Sequence, residues 1–528
     1  RGRVSMERVY DVAVVGFGPS GAVAAGLLAQ AGLSTYVCDR LPDVYDKPRA
    51  IALDHEVMRV FQQLGVASAV EPWTEPFTPS EFFGVDGHLI RRMTMLEPPY
   101  PQGHTPSMVF TQPPVEGVLR ARAASHENVH IELGVEMQSL AQDDDGVTLQ
   151  VRGPLDAAAR TVRARYVLGC DGASSRVRAL AGIELDDLDL DEPWLVVDVL
   201  VNERGPAKLP QVSVQYCEPE RPCSLVIGPK NHRRWEISLN AGEDPQEAAT
   251  PEATWRLLSR WLTPEDGELW RQASYRFHAL VARQWRAGRV FIAGDAAHQQ
   301  PPFLGQGMCQ GVRDVANLAW KLAAVVKGEV GGGAAETLLD SYGIERQAHV
   351  RELTTRIKDL GAVICERDVD RARARDARLL AECGGTVKDT PRQDVLPRLQ
   401  GGCLRSVASA ARGALFPQPL LTNEDDETLP MDERFGRGWR LVVDDTLAVP
   451  AARAPGITTV HIGVGGWHES HEVVAGWMRR HACHAALLRP DHYVFGVAAS
   501  RAELDALLTE CADRLHSALP QARPTATR

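Results

Sequence analysis

The pattern of apolar and polar positions divides the chain into segments of different period. Residues 9–15 form a β-branched, mostly apolar run, as expected of a strand buried on both faces. Residues 22–31 are rich in alanine and leucine and predict a helix, which Gly32 ends. Residues 34–38 predict a second strand. Val57, Met58, Val60, Phe61 and Leu64 then recur at helical spacing as far as Gly65. Short strands at 81–85 and 89–95 sit inside a proline-rich insertion. A helix is expected over 115–125, followed by strands at 129–133, 135–141, 147–151 and 166–169, with a hairpin turn at 143–146.

Residues 186–284 change character. Strands at 194–201, 211–216, 224–227 and 235–239, joined by Pro- and Gly-bearing turns, predict a second, largely antiparallel domain with one helix near 252–262. A strand at 289–293 and a helix at 308–327 return to the first domain, and one long helical region runs from 335 to about 382. Residues 383–400 read as a linker. A separate α/β unit follows, with strands at 439–443, 458–463 and 493–497 and helices at 469–481 and 502–515. The chain thus divides into a first domain assembled from 7–75, 109–185 and 285–382, an insertion at 76–108 lying over it and contributing to the second domain, that second domain at 186–284, the linker, and a C-terminal domain at 401–528.

The first strand feeds into Gly16-x-Gly18-x-x-Gly21, and Asp39 stands eighteen positions after Gly21. Strand, glycine turn, helix, strand and acid in that order form the βαβ dinucleotide fingerprint. Gly16 permits the tight turn, Gly18 lets the backbone approach a pyrophosphate, and Gly21 lets helix and strand pack closely. The helix N-terminus offers free N–H groups to the phosphates. Asp39 suits an adenosine ribose and disfavours a 2′-phosphate, so FAD or NAD is expected rather than NADP.

Composition narrows the classes. A chain of 528 residues, 44% hydrophobic and 24% charged, is a globular, multidomain type. The net charge of −11 argues against a nucleic-acid partner. No apolar stretch reaches about 18 residues, so no membrane span is expected. Residues 1–6 are polar and basic, and read as upstream sequence rather than a signal peptide. Ten cysteines without a CxxC pair suggest free thiols in a reducing cytoplasm. No metal is expected, since His481, Cys483 and His484 lack partners at metal-site spacing.

Two further stretches matter. In Cys170-Asp-Gly-Ala-Ser-Ser-Arg-Val-Arg178 a strand breaks at Asp171-Gly172 and a helix begins, where Ser and Asp are also routine caps. Gly294-Asp-Ala-Ala-His298, then Pro301-Pro302 and Gly305-x-Gly307, form a stiff loop before a helix whose N-terminal amides suit a partially negative ring atom. With the fingerprint, these stretches resemble the single-component FAD-dependent aromatic hydroxylases, the class A flavoprotein monooxygenases. The likeness covers residues 9 to about 360 and is strongest to the 3-(3-hydroxyphenyl)propionate hydroxylase and phenol hydroxylase branch, with the polyketide aromatic hydroxylases beside it. Residues 401–518, including Leu488-Arg-Pro-Asp-His-Tyr-Val494, resemble the thioredoxin-like third domain of those relatives, here without CxxC.

The resemblance implies an α/β fold: a para-hydroxybenzoate hydroxylase-like, Rossmann-type FAD domain, an antiparallel-sheet substrate domain and a C-terminal thioredoxin-like domain. It implies tightly bound, non-covalent FAD. Gly16, Gly18 and Gly21 cradle the pyrophosphate, Asp39 holds the adenosine ribose with Arg40 beside it, and Arg49 and Gln112 contact the cofactor between phosphates and ribityl chain. Asp171 is tied to both FAD and NAD(P)H, Asp295 to the ribityl or pyrophosphate side, and Pro302, Gly305, Gly307 and Met308 to the isoalloxazine ring. NAD(P)H docks transiently, O2 is the oxidant, and a flavin C4a-hydroperoxide hydroxylates a phenol ortho to its hydroxyl. His298, Tyr216 and His278 are candidates for deprotonating the phenol, and Pro302 lies by the reacting ring. The substrate is expected near Tyr216, Trp235, Pro302 and Phe303, with Arg221, Arg233 or Arg234 available for a carboxylate tail. A 3-(3-hydroxyphenyl)propionate-like phenolic acid is the expected substrate. A polycyclic polyketide is the alternative, and a flavin-holding module without turnover the distant one. A homodimer is compatible with the family pattern.

Overall fold

Val12, Ala13 and Val14 of β1 (Val9–Val15) are wholly buried. Burying each such valine stabilises by about 1.5–3 kcal/mol, so this strand takes the centre of a sheet. The computed structural model describes residues 8–424, 427–448 and 456–515; the basic stretch at 1–6 lies outside them. From β1 the chain enters α1 (Pro19–Gln30) and β2 (Thr35–Asp39). α2 (His55–Gln63) starts where Asp54 accepts hydrogen bonds from the Glu56 and Val57 amides, 3.1 Å each. β3 (Ser80–Phe83) and β4 (Leu89–Thr94) leave this domain. α3 (Gln112–Ala124), β5 (Val129–Leu133), β6 (Arg160–Gly169) and α4 (Arg176–Leu180) return to it.

The second excursion is longer: β7 (Leu185–Val201), β8 (Ser213–Tyr216), β9 (Cys223–Ile227), β10 (His232–Ser238), α5 (Pro251–Leu258) and β11 (Gly267–Ala282). β12 (Val290–Ile292) and β13 (His298–Gln299) lead back to α6 (Gly307–Val326), α7 (Gly332–Ile364) and α8 (Val369–Ala381). The parallel core runs β5-β2-β1-β6-β12, with α1 and α6 packed together beside it.

The other large sheet has nine strands among the described residues, in the order β13-β11-β7-β10-β9-β8-β3-β4 and then β14 (Lys388–Pro391). Three expectations gain detail here. The 76–108 insertion does both things expected of it in part: β3 pairs with β8 and widens the antiparallel sheet, while Gln102 and His104 rest on Arg59 and Gln62 of α2 in the first domain. The linker at 383–400 supplies the edge strand β14, paired in parallel with β4, because an unpaired edge at β4 would leave its amides without partners. The helical region after 335 is two helices, broken at 365–368 where Asp368 caps α8 by accepting the Arg371 amide at 2.9 Å.

The sheet has two faces, set by the period of two. One carries Leu195, Val197, Val214, Tyr216, Leu225, Trp235 and Ile237 against α5. The other carries Phe82, Trp194, Val196 and Phe277 against Phe303, Leu304 and α7.

Among the described residues the C-terminal domain is built on a four-stranded sheet, β16 (Ile457–His461), β15 (Trp439–Val443), β17 (Ala485–Leu488) and β18 (Val494–Ala498), covered by α9 (Val473–Arg480) and α10 (Arg501–Leu515). It is fastened to the first domain by buried ions. Arg59 pairs with Asp432 at 2.5 Å, Arg489 with Glu345 at 2.8 Å, and Tyr493 donates to Glu56 at 2.6 Å. The 488–494 stretch singled out in the sequence is therefore half of this interface.

Candidate active site

Three loops distant in sequence meet at the carboxyl ends of β1, β6 and β12, the place where open parallel sheets bind ligands. Gly16 has φ 102°, and a Cβ on it would lie 2.2 Å from the Cys170 carbonyl oxygen. A Cβ on Gly311 would lie 2.2 Å from Ser20 Oγ. The turn after β1, the start of α1, the loop at 170 and α6 touch so closely that only glycine fits. Gly18 differs. A Cβ there would meet nothing nearer than Glu116 Oε1 at 3.7 Å, so its outer surface is bare. α1 and α6 both begin without a side-chain cap, leaving their first amides for a ligand.

Asp39 accepts the Phe17 and Leu41 amides, both at 2.7 Å, and so clamps the glycine turn to the end of β2; Arg40 beside it is exposed. Gln112 accepts the Ala50 amide at 2.6 Å and fixes the segment that carries Arg49. Arg49 is exposed, with its guanidinium 4.7 Å from the Tyr45 ring. Asp171 is turned to its own helix: it accepts from Ser175 Oγ at 2.5 Å and from the Arg176 amide at 2.8 Å. Asp295 is exposed to solvent yet hemmed in closely enough that burial raises its carboxyl above the ordinary range, against the pull of His298 and Arg49. Pro302 accepts the Gly305 amide at 2.9 Å, and a Cβ on Gly305 would lie 2.6 Å from that of Ala52. Pro302, Gly307 and Met308 are half-buried along the same loop and helix start.

Sequence reasoning missed the rest of the α3 face. Glu116 and Arg120 follow Gln112 at i+4 and i+8, the helical spacing that signals a shared face. Glu116 is buried, which raises its carboxyl, and Arg120 lies 4.9 Å from the centre of the Phe17 ring. Bare glycine surface, two uncapped helix starts, the exposed Arg49 cation and the Asp39 acid together fit FAD.

His298 is withdrawn from substrate chemistry. It is 1% exposed, its Nε2 lies 2.6 Å from Asp314, and its ring stacks on Trp285. Asp314 also accepts the Gly294 amide at 2.9 Å and Arg346 Nε at 2.7 Å, so His298 and Arg346 brace the Gly294–Asp295 turn. Tyr216 and Trp235 lie on the outer face of the sheet, away from Pro302 and Phe303. Tyr216 Oη accepts from Trp261 Nε1 at 3.0 Å. His278 alternates with the inward Phe277 and sits 3.8 Å from Asp191. Phe303 is buried edge-on against Trp194, with ring centres 5.6 Å apart, and anchors its loop. Among the proposed carboxylate partners, Arg221 is paired with Glu243 at 2.8 Å, Arg234 with Asp198 at 2.8 Å, and Arg233 donates to the Lys230 and His232 carbonyls. A one-residue phase error in reading β8 and β10 moves every side chain to the other face.

Buried polar groups mark the inner face instead: Asp198, Ser213, Gln215, Ser224, Arg234 and Glu236. A cavity of about 230 Å3 between Val443, Val474, Met478 and Cys483 touches none of these motifs.

Fold and cleft define a flavoprotein aromatic hydroxylase. Residues 9–357 match the FAD binding domain family, and the chain belongs to it; residues 413–514 match the HcaD C-terminal domain. The chain is 38% identical over 519 residues, 95% of its length and 94% of the relative's, to a probable NADH-specific resorcinol 4-hydroxylase of Rhodococcus jostii (strain RHA1). It is 32% identical to a 3-(3-hydroxy-phenyl)propionate/3-hydroxycinnamic acid hydroxylase of Mycobacterium sp. (strain JLS), covering 92% of this chain and 89% of that one. Its fold matches the flavin-dependent monooxygenase PieE, solved with FAD and substrate, at a TM-score of 0.81 and 23% identity over 97% of this chain and 99% of that one. Aklavinone-11 hydroxylase, with FAD and aklavinone, gives 0.79 at 25% identity over 97% and 100%.

Proposed function

We propose that this chain uses NAD(P)H and O2 to hydroxylate a small, single-ring phenol ortho to an existing hydroxyl, with a neutral dihydroxybenzene such as resorcinol as the substrate class. The observation that carries this reading is the buried polar inner face of the sheet, opposite the loop of Pro302 and Phe303. Gln215 and Ser224 bond each other there, but Glu236 has no partner among the described residues, and hydrocarbon packing alone does not account for a buried carboxylate left in that state. The likeness to the resorcinol hydroxylase supports both the substrate class and NADH as donor.

When bound, FAD supplies hydride acceptance and oxygen activation. Gly16, Gly18 and Gly21 would hold its pyrophosphate with the α1 amides, Asp39 its ribose, and Arg49 and Gln112 the chain between. The amides at Gly307 and Met308 would meet negative charge on the ring. The loop anchored by Phe303 and the sheet above it exclude water and fix the phenol's orientation. Ten free cysteines suit a reducing cytoplasm.

One observation favours a second reading, a phenolic acid. Arg392 lies 3.9 Å over Phe77, donates to Ser80 Oγ, and is desolvated without a carboxylate partner among the described residues, which lowers its basicity to about 10. The test is NADH and NADPH oxidation by the holoenzyme under air, with product masses, against resorcinol, phenol and 3-(3-hydroxyphenyl)propionate. Stimulation by resorcinol with a gain of one oxygen supports the first reading. Stimulation by the acid alone supports the second, and none by any phenol overturns both.

A further inference from the structure

The inner face of the nine-stranded sheet carries two buried carboxylates with opposite surroundings. Asp198 on β7 is fully answered: Arg234 Nε lies 2.8 Å from it and His232 Nε2 2.6 Å. Glu236, two residues beyond Arg234 on β10, is 4% exposed and has neither a hydrogen bond nor an ion pair among the described residues. A buried carboxylate without partners is costly, and proteins retain such groups where a ligand or reaction uses them.

Register fixes where it faces. Glu236 stands opposite Val196 on β7 and Ser224 on β9. Val196 packs in one cluster with Phe303 and Leu304. Val226, the next inward position on β9, packs against Ile51 and Ala52, two and three residues after Arg49. Glu236 therefore looks between the segment that carries Arg49 and the loop that carries Pro302. Its neighbours are spent: Arg234 on Asp198, and the Ser224 hydroxyl on Gln215.

We propose that the Glu236 carboxylate receives the hydroxyl of the aromatic substrate, accepting its hydrogen bond on binding and its proton as the ring is oxygenated. This rests on the phenol-hydroxylase reading above. The substrate O–H bond breaks, an O–H bond forms on Glu236, and the electron pair stays on the phenolate oxygen, where it enriches the ortho carbons. Solvent takes the proton after turnover. A carboxylate at this point also repels an anionic tail and so favours neutral phenols.

Burial pushes the Glu236 carboxyl up to about 7, with Arg234 opposing and Asp198 adding to the rise. That value suits a base working near neutral pH. The titratable and charged groups around it are Arg234 and His232 on its own strand, Asp198 and Glu192 on β7, Arg271 on β11 and Arg49 across the cleft; β9 presents Ser224 and Val226.

The test compares holoenzyme with Glu236→Gln and Glu236→Asp, all checked for flavin content. Binding is read from the flavin absorption spectrum with resorcinol and 1,3-dimethoxybenzene, and turnover with resorcinol across pH. In the unsubstituted enzyme, resorcinol binding should tighten as pH rises through about 7, while the dimethyl ether, which has no hydroxyl to give, stays flat. Glu236→Gln should keep its flavin, lose at least about a hundredfold in kcat and lose the inflection near neutral pH. Glu236→Asp should recover part of kcat and the inflection. A Glu236→Gln enzyme within about threefold of the parent in kcat/KM, or one with the inflection intact, overturns the proposal. Parallel pH profiles for resorcinol and its dimethyl ether also overturn it, without any variant. Failure of every phenol to bind or be oxidised by the parent overturns the functional reading instead.

Discussion

The seam between the C-terminal domain and the first domain, and the inner face of the nine-stranded sheet, are both buried and both charged. At the seam every named charge is answered. Glu345 takes Arg489 at 2.8 Å and Lys321 at 2.9 Å, and Asp432 takes Arg59 at 2.5 Å and Arg440 at 3.4 Å. Despite burial, those cations hold the Glu345 carboxyl down to about 2 and that of Asp432 well below the usual range. On the sheet, Asp198 is answered and Glu236 is not. Paired ions in a dry interface fix one arrangement of domains; an unpaired one keeps a cost that a donor brought by a ligand would relieve.

The largest effect should come from breaking the seam. Arg489→Leu strands Asp491 without its cation, leaves Glu345 to Lys321 alone, and should cost about 3–5 kcal/mol in chemical denaturation. A loss under about 1 kcal/mol would mean that the interface is not held this way. The same pairs set an acid limit. Their depressed carboxyls contribute stability that is present above about pH 4.5 and disappears as pH falls toward about 2. Proteolysis of the C-terminal domain should therefore accelerate across that window, and an unchanged cleavage rate would count against it.

Glu236 should behave with the opposite sign. Its raised carboxyl contributes stability that is present below about pH 4.5 and is lost as pH climbs through about 7. Glu236→Gln should then be more stable than the parent at about pH 8, by up to about 3 kcal/mol, and match it at about pH 4. Equal melting temperatures at both values would show that the carboxylate is answered after all. The smallest effect belongs to the outer face. Tyr216→Phe removes one hydrogen bond to Trp261, costs about 1 kcal/mol of stability and leaves kcat/KM within about threefold. A hundredfold loss would put Tyr216 back beside the substrate.

Much of the first domain was legible because its signals are local. The glycine spacing, the apolar run of β1 and the acid after β2 all lie within residues 9–39, and the strand bounds Val9–Val15 agree with the pattern. β11 was not legible: Gly267–Ala282 mixes Trp, Arg, Gln, Tyr and His on both sides, and only its pairing with β7 makes it a strand. The same holds for β14, three polar residues and a proline that are a strand only because β4 has an open edge.

The sequence alone determined the glycine turn between β1 and α1, since each glycine there acts through its own backbone and its nearest neighbours. Which side of the sheet faces the Pro302 loop was decided in three dimensions. Tyr216 and Gln215, or Trp235 and Glu236, are adjacent in the chain yet point to opposite faces, and nothing local says which face the Pro302 loop will cover. That choice followed from packing α5 on one side and the Phe303 loop on the other, and it is what turned Glu236 rather than Tyr216 to the Phe303 side.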